Sequence, residues 1–383
     1  MPSAPAWLRA PAQHLPLLPH LAVPPGLLAV ATAAALFAHS DVNLAMLWSQ
    51  CRAYLSKPIG LSGLPLFGTP LCYLVSFFWE ALDSLRSRAV MAVVLAYMGA
   101  LLTVCTLEAA RRCHRRSVVI ARPTWWWLLF NLAGGALVWQ LVVVPAFLHR
   151  ARRWYVADKG PAVGGGGDGG GDEPAREEAR HDDRDRRIED ADVVAIPVAV
   201  ALGYYLPSIC MLAHTEPDFV GAWLPFPVYV TLIRFALRWA IRELRRSEPA
   251  LVHLESSRWR LVALHAVPVV CSALAHAFVA YAATQRDDRK EMTRSTVTFI
   301  EVDLQFIALT VLYWVFVEVG WRAPLAMVAA SVVLGPGSGL CLGWIYRERL
   351  VLEALGRLVA PGPDADEGTV GDGESDEQTP LLR

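Results

Sequence analysis

About nine apolar stretches, most of them long enough to cross a bilayer, recur along this chain and limit its fold more than any other feature. A spanning helix needs about 20 predominantly apolar residues. In lipid every backbone N–H and C=O must find a partner inside the protein, which leaves helices for segments of this length. The chain has 383 residues and is 55% hydrophobic, above the usual soluble domain. The pattern predicts an all-α polytopic transmembrane bundle of about eight or nine spans. The first block, near Leu27–Ala38, is short for a crossing, although LAVPPG before it extends the apolar run. Pro197, Pro207, Pro225, Pro227, Pro268 and Pro336 fall within or beside later blocks. They predict kinked or broken helices, which membrane bundles tolerate where neighbours satisfy the freed carbonyls.

The blocks divide the chain. Residues 1–22 form a proline-rich extension without a charged n-region, so no cleaved signal peptide is expected. Residues 23–157 hold membrane helices one to four, and 193–348 hold five to nine. Between them, 158–192 is glycine and charge with few apolar residues, and reads as a disordered loop. Its glycine run lacks the lysine of a phosphate loop, and no strand precedes it. Residues 349–383 read as an acidic disordered tail. Within it EQTPLL resembles an acidic dileucine sorting signal, with Glu377 before Leu381 and Leu382. An idle tail is the equal alternative, and an endomembrane location, ER or vacuolar, is the expectation. Net charge is -1 and no nucleic-acid motif is present. The seven cysteines make neither a CxxC nor a zinc spacing, so neither a disulfide framework nor a metal site is indicated.

Polar residues inside apolar blocks carry the chemistry. Thr296–Val319 includes Glu301, Asp303 and Gln305. A carboxylate near the centre of a membrane helix costs roughly 2.5–3.5 kcal/mol on insertion scales, and is kept by a partner or a function. Glu301 and Gln305 share a helix face, whereas Asp303 lies two steps of about 100° from Glu301. Glu301 is nearer the helix start and within reach of interfacial water, so Asp303 is the better working carboxylate. The competing reading makes both of them interfacial. His276, in ALAHAFVAY, is either a packing residue or a proton-trading group. If every block crosses, Glu108, His214, Asp218, His276, Glu301 and Asp303 gather near one membrane face, with Glu80 and Glu318 at the other. Lys and Arg are then nearly balanced between the two sides, leaving orientation open. The Trp125–Trp127 run reads as a headgroup anchor, or alternatively as the wall of a ligand site. Gly134–Gly135 reads as a point of close helix packing.

TPLCYLVSFFWEAL, GALLTVCTLEAAR, NLAGGALVWQLVVVPAFL, VALGYYLPSICML, SALAH and FIEVDLQFIALTVLYW together resemble a family of fungal multi-pass membrane terpene cyclases. That family serves meroterpenoid and indole-diterpene pathways and includes the ascochlorin and ascofuranone cyclases. The similarity covers most of the apolar chain, though the glycine-rich loop is unlike the family. It implies an isomerase-type enzyme in which a protonated acid opens a terminal epoxide on a prenyl chain and internal double bonds attack the cation. It also implies a lipophilic prenylated substrate, no cofactor and no metal, with Asp303, His276 and Glu108 as candidate catalytic positions, to which the reading of Thr296–Val319 adds Glu301. Trp79–Glu80 resembles the carboxylate element of a second, shorter cyclase family, but falls on the wrong face of the topology above. Two other classes compete. A proton-coupled transporter of a small lipophilic metabolite would also use intramembrane carboxylates and broken helices. A scaffold would use its polar residues only to join helices.

Overall fold

The computed structural model describes residues 17–39, 44–55, 68–156, 185–245 and 250–359. Most of the loop expected over 158–192, and the tail motif EQTPLL, lie outside the described residues. The described chain is all-α apart from a two-residue antiparallel ribbon, β1 (Ile188–Glu189) against β2 (Leu251–Val252). The principal helices are α1 (Leu17–His39), α2 (Leu44–Leu55), α3 (Gly68–Glu80), α4 (Leu85–Ala110) and, after one short turn of helix at Val118–Ala121, α5 (Pro123–Ala133). Next, α6 (Gly135–Val138) continues through one widened turn, Trp139–Val143, into α7 (Val144–Val156). Likewise α8 (Asp190–Val200) continues through Ala201–Tyr205 into α9 (Leu206–Ala213). The last are α10 (Pro217–Trp223), α11 (Phe226–Arg245), α12 (Arg258–Ala283), α13 (Glu291–Val319), α14 (Arg322–Leu334) and α15 (Pro336–Val359).

Five of these are long and apolar enough to cross a membrane: α1, α4, α8–α9, α12 and α13. The pair α10–α11, bent by 51°, makes a sixth. By length and composition the described residues therefore hold five or six candidate spans, as an integral membrane protein does, fewer than the eight or nine expected. The long central helix α4 is buried along most of its length and is the axis of the bundle. It starts at a capping box of Ser84 with Ser87. Asp288, from the connection between α12 and α13, accepts from the Leu85 and Arg86 N–H groups at 2.8 and 3.3 Å. A carboxylate on free N-terminal N–H groups also complements the helix dipole. Lys290 pairs with Asp83 and Thr293 with Glu80 at this same end. At its far end α4 finishes at Arg111.

Three apolar blocks do not form a single helix of spanning length among the described residues. The helix of the second, α3, has 13 residues, a rise of about 20 Å against a hydrocarbon core of about 30 Å. The fourth block reverses at Gly134, whose φ of 93° suits only glycine. Phe130 packs on Gly135, Trp127 on Trp139, and Pro123 shares a recess with Val143 and Phe147. Partners that diverge symmetrically about residue 134 make an antiparallel, splayed hairpin of α5 with α6–α7. The ninth block reverses at Gly335, φ 88°. Gly339 packs on Ser331 and Gly343 on Met327, so α14 and α15 also form a hairpin. Both hairpins enter and leave at the Arg111 end. Arg150 donates to the Cys113 carbonyl, and Arg347 pairs with Glu318 and Glu108. Their tips stop halfway down the bundle: Gly134–Gly135 beside Asp303 of α13, and Gly335 beside Ser272 and His276 of α12. Ser272 Oγ accepts from Ser338 N–H at 2.9 Å, which pins the second tip.

Reversing the fourth block inverts the sidedness of everything after it. Glu108 and Glu318 share one end, while Glu80 lies with the start of α13 at the other. The expected grouping of Glu108 with His214, Asp218 and Glu301 is corrected accordingly.

Further expectations change: α1 begins at Leu17, inside the expected N-terminal extension, and α15 runs to Val359, into the expected disordered tail. Cys51 of α2 and Cys72 of α3 form a disulfide, which their 21-residue separation did not announce. Residues 185–192, assigned to the disordered loop, are ordered by ion pairs to other elements. Arg186 meets Glu348, Glu189 meets Arg238 and Arg242, and Asp192 meets Arg234.

Candidate functional site

Between α3, α4, the tip of the α5–α6 hairpin, α10–α11 and α13 lies a cavity of about 570 Å³, within the size range of small-molecule sites. Its lining is overwhelmingly apolar, and among the described residues Asp303 is the only carboxylate that lines it. Local sequence explains how Asp303 is held. Gly134 turns the chain through a conformation closed to other residues, and α6 then begins at Gly135 without a side-chain cap. Its first N–H groups therefore need an acceptor. Gly135 N–H donates to Asp303 Oδ2 at 3.2 Å and Ala136 N–H donates to Oδ1 at 3.0 Å. Gly135 has no Cβ to obstruct this approach, since a methyl there would press on the Phe130 ring and lie 2.9 Å from Oδ2. The carboxylate thus sits on the positive end of a short helix with its plane fixed, and borders the cavity.

A wall of rings also lines the cavity, beginning at Phe299, one turn before Asp303 on α13. Phe299, Phe77, Phe78, Trp223 and Phe226 meet in sequence at centroid distances of 5.5, 5.5, 5.3 and 5.4 Å. Tyr204 follows at 4.7 Å and donates its hydroxyl to the Leu95 carbonyl. These contacts, edge-to-face except for the tilted Trp223–Phe226 pair, lock the rings against each other. The wall draws on α13, α3, α10, α11 and the widened turn before α9, so no single sequence window displays it. Asn131, which carries the amide side chain of the lining, donates to the Leu224 carbonyl at 3.0 Å.

Of the four catalytic candidates, Asp303 alone borders this cavity. Glu301 is half-buried on a different face of α13. His276 stands at the tip of the α14–α15 hairpin, beside Gly335. Glu108 lies in a buried ion network at the Arg111 end. There Arg111 donates to Glu108 at 3.1 Å, to Glu348 at 2.9 Å and to Glu255. Arg347 binds Glu318, Glu348 and Glu108, and Arg186 binds Glu348 and Glu255. Glu318 also accepts from the Trp314 indole at 2.8 Å. These contacts tie α4, α13, α15 and the chain before α8 together, so Glu108 is placed as a structural tie. The expected convergence of Glu108, His276 and Asp303 does not occur. Glu80 is likewise outside the cavity; it is buried and accepts from Thr293 at 2.9 Å. The tryptophan run divides: Trp125 is 72% exposed, as an anchor is, while Trp127 is buried against Phe130, Trp139 and Phe226.

The aromatic wall and the hairpin tip were missed by sequence reasoning. A signal for the tip was present in the paired Gly134–Gly135 at the middle of a block of spanning length. Comparison of the chain with protein-family models, curated proteins and solved structures finds no match.

Proposed function

We propose that this protein is an integral membrane terpene cyclase that starts the cyclisation of an epoxidised prenyl chain by protonation from Asp303. The observation that carries this reading is a single oriented carboxylate on an apolar, aromatic-walled cavity halfway through the bundle. A lipophilic substrate enters such a space from the bilayer without leaving an apolar medium. The protonated carboxyl gives its proton to the epoxide oxygen. The C–O bond to the more substituted carbon breaks as the neighbouring double bond attacks that carbon, and the cation moves along the chain. Loss of a proton, or capture by an internal hydroxyl that then loses its proton, ends the cascade and restores the acid. The net change is an isomerisation, and no atom is gained or lost. Ring faces along Phe299–Phe226 stabilise a passing cation by about 0.5–2 kcal/mol each.

The test is incubation of membranes carrying the protein with a prenylated aromatic epoxide, followed by mass spectrometry and chromatography of products of unchanged mass. General acid catalysis contributes about 10²–10⁴-fold, so Asp303→Asn is expected to lose at least about a hundredfold in turnover. Full turnover by that variant rejects the role. A second reading, a proton-coupled carrier of a lipophilic metabolite, is favoured by the two half-depth hairpins, because broken helices meeting at the midplane form the sites of many carriers. Uptake of the intact compound into proteoliposomes, with no product formed, would select it.

A further inference from the structure

A second recess, of about 330 Å³, opens at the Arg111 end between α4, the start of α5 and α11. Arg122, Arg234 and Arg238 line it, with Thr124 and Thr231 joined across it by a 2.7 Å hydrogen bond. Arg234 and Arg238 are held by acids behind them: Arg234 Nε donates to Asp192 at 2.9 Å, and Arg238 donates to Glu189 at 2.7 Å. Glu189 is shared further with Arg115 and Arg242. With Arg122, five guanidiniums here face two carboxylates. The Arg122 guanidinium has no hydrogen bond or ion pair among the described residues. The rim is apolar, since Trp125 and Phe235 are each 72% exposed beside the recess.

Sidedness identifies the medium that this recess meets. Among the described residues, the connections at the Arg111 end (111–122, 150–156, 185–189, 242–245, 250–260) hold fourteen Lys and Arg. Those at the other end (44–55, 80–88, 214–225, 284–294) hold seven. Connections rich in Lys and Arg stay in the cytosol. The Cys51–Cys72 disulfide joins α2 and α3 on the side away from the Arg111 end, and disulfides persist in oxidising compartments. Both features put the recess in the cytosolic leaflet, whose lipids carry the anionic headgroups.

We propose that this recess binds the phosphate headgroup of an anionic membrane lipid, with Arg122 as the uncommitted contact and Trp125 and Phe235 flanking the acyl chains. This is independent of the cyclase reading, because the recess and the Asp303 cavity are separate. The test uses full-length protein in nanodiscs of phosphatidylcholine doped with phosphatidic acid, with retained lipid read by native mass spectrometry. Wild type is expected to retain phosphatidic acid over phosphatidylcholine. Arg122→Gln is expected to weaken retention about fivefold, the worth of one basic residue at a membrane surface, and Arg122→Lys to restore most of it. An unchanged unfolding midpoint for Arg122→Gln shows that the loss is local. Equal retention of the two lipids by wild type, equal retention of phosphatidic acid by Arg122→Gln, or full displacement by inorganic phosphate at matched concentration each overturns the proposal.

Discussion

Replacing Arg111 with Gln is expected to damage the fold more than replacing Glu108 with Gln, although the two side chains are direct partners. Among the described residues the buried network contains four carboxylates, Glu108, Glu255, Glu318 and Glu348, against three guanidiniums, Arg111, Arg186 and Arg347. Arg111 serves three of the four acids. Its loss leaves four carboxylates facing two guanidiniums, with every contact out of water. Removing one partner of a buried pair costs about 3–5 kcal/mol, and here several partners are stranded together. Glu108→Gln instead leaves three charges of each sign, and its amide oxygen still accepts from Arg111. Its expected cost is the weakening of a charge-assisted hydrogen bond, about 1.5–3 kcal/mol. The assay is equilibrium unfolding in mixed micelles, titrated with denaturing detergent and followed by helical circular dichroism. The double variant should be destabilised by less than the sum of the two singles, with a coupling of about 0.5–3 kcal/mol. If Glu108→Gln proves as costly as Arg111→Gln, the charge tally does not govern this end of the bundle.

Three other perturbations probe separate parts of the fold. Gly134→Ala has open space for its methyl but must hold φ at 93°, so unfolding should ease by about 1–3 kcal/mol. Gly135→Ala should instead abolish turnover through its contacts with Phe130 and Asp303, and equal behaviour of the two variants would contradict the hairpin geometry. His114, stacked edge-on against Phe147, is held by burial well below its usual value, to about 4, despite the opposing pull of Glu108. The unfolded chain takes up this proton below about pH 6.5 and the folded chain only near 4. Stability should therefore fall as pH drops through that window and level off beneath it. His114→Gln should flatten that part of the pH–stability profile, and an unchanged slope would contradict a neutral buried imidazole. Cys51 and Cys72 should resist maleimide in denatured protein until a reductant is added, and labelling of both without reductant would contradict their pairing.

What could be read from the chain alone follows the strength of the local physics. Asp303 was legible because a carboxylate inside an apolar block costs enough to require an explanation, and its helix phase separates it from Glu301. The number of apolar blocks was legible for the same energetic reason, but their direction was not. A hairpin of two half-length helices needs as many apolar residues as one full crossing, so hydropathy gives both the same signal. The distinction lies in a single residue with positive φ, Gly134 or Gly335, and glycine within an apolar block also serves close packing. One reversal misread as a crossing inverts the side of every later residue, which is why Glu108 and Glu318 were separated although they share Arg347. Residues 185–192 failed in the opposite direction. Their charge resembles that of a solvated loop until Arg234, Arg238, Arg242 and Glu348, distant in sequence, supply the partners. The aromatic wall had no linear signature, because each ring sits where a lipid-facing or packing ring would also sit, and only the convergence of five elements distinguishes it. The functional reading therefore stands on the one residue whose cost was visible beforehand, and on a hairpin tip whose two N–H groups give it a reason to be there.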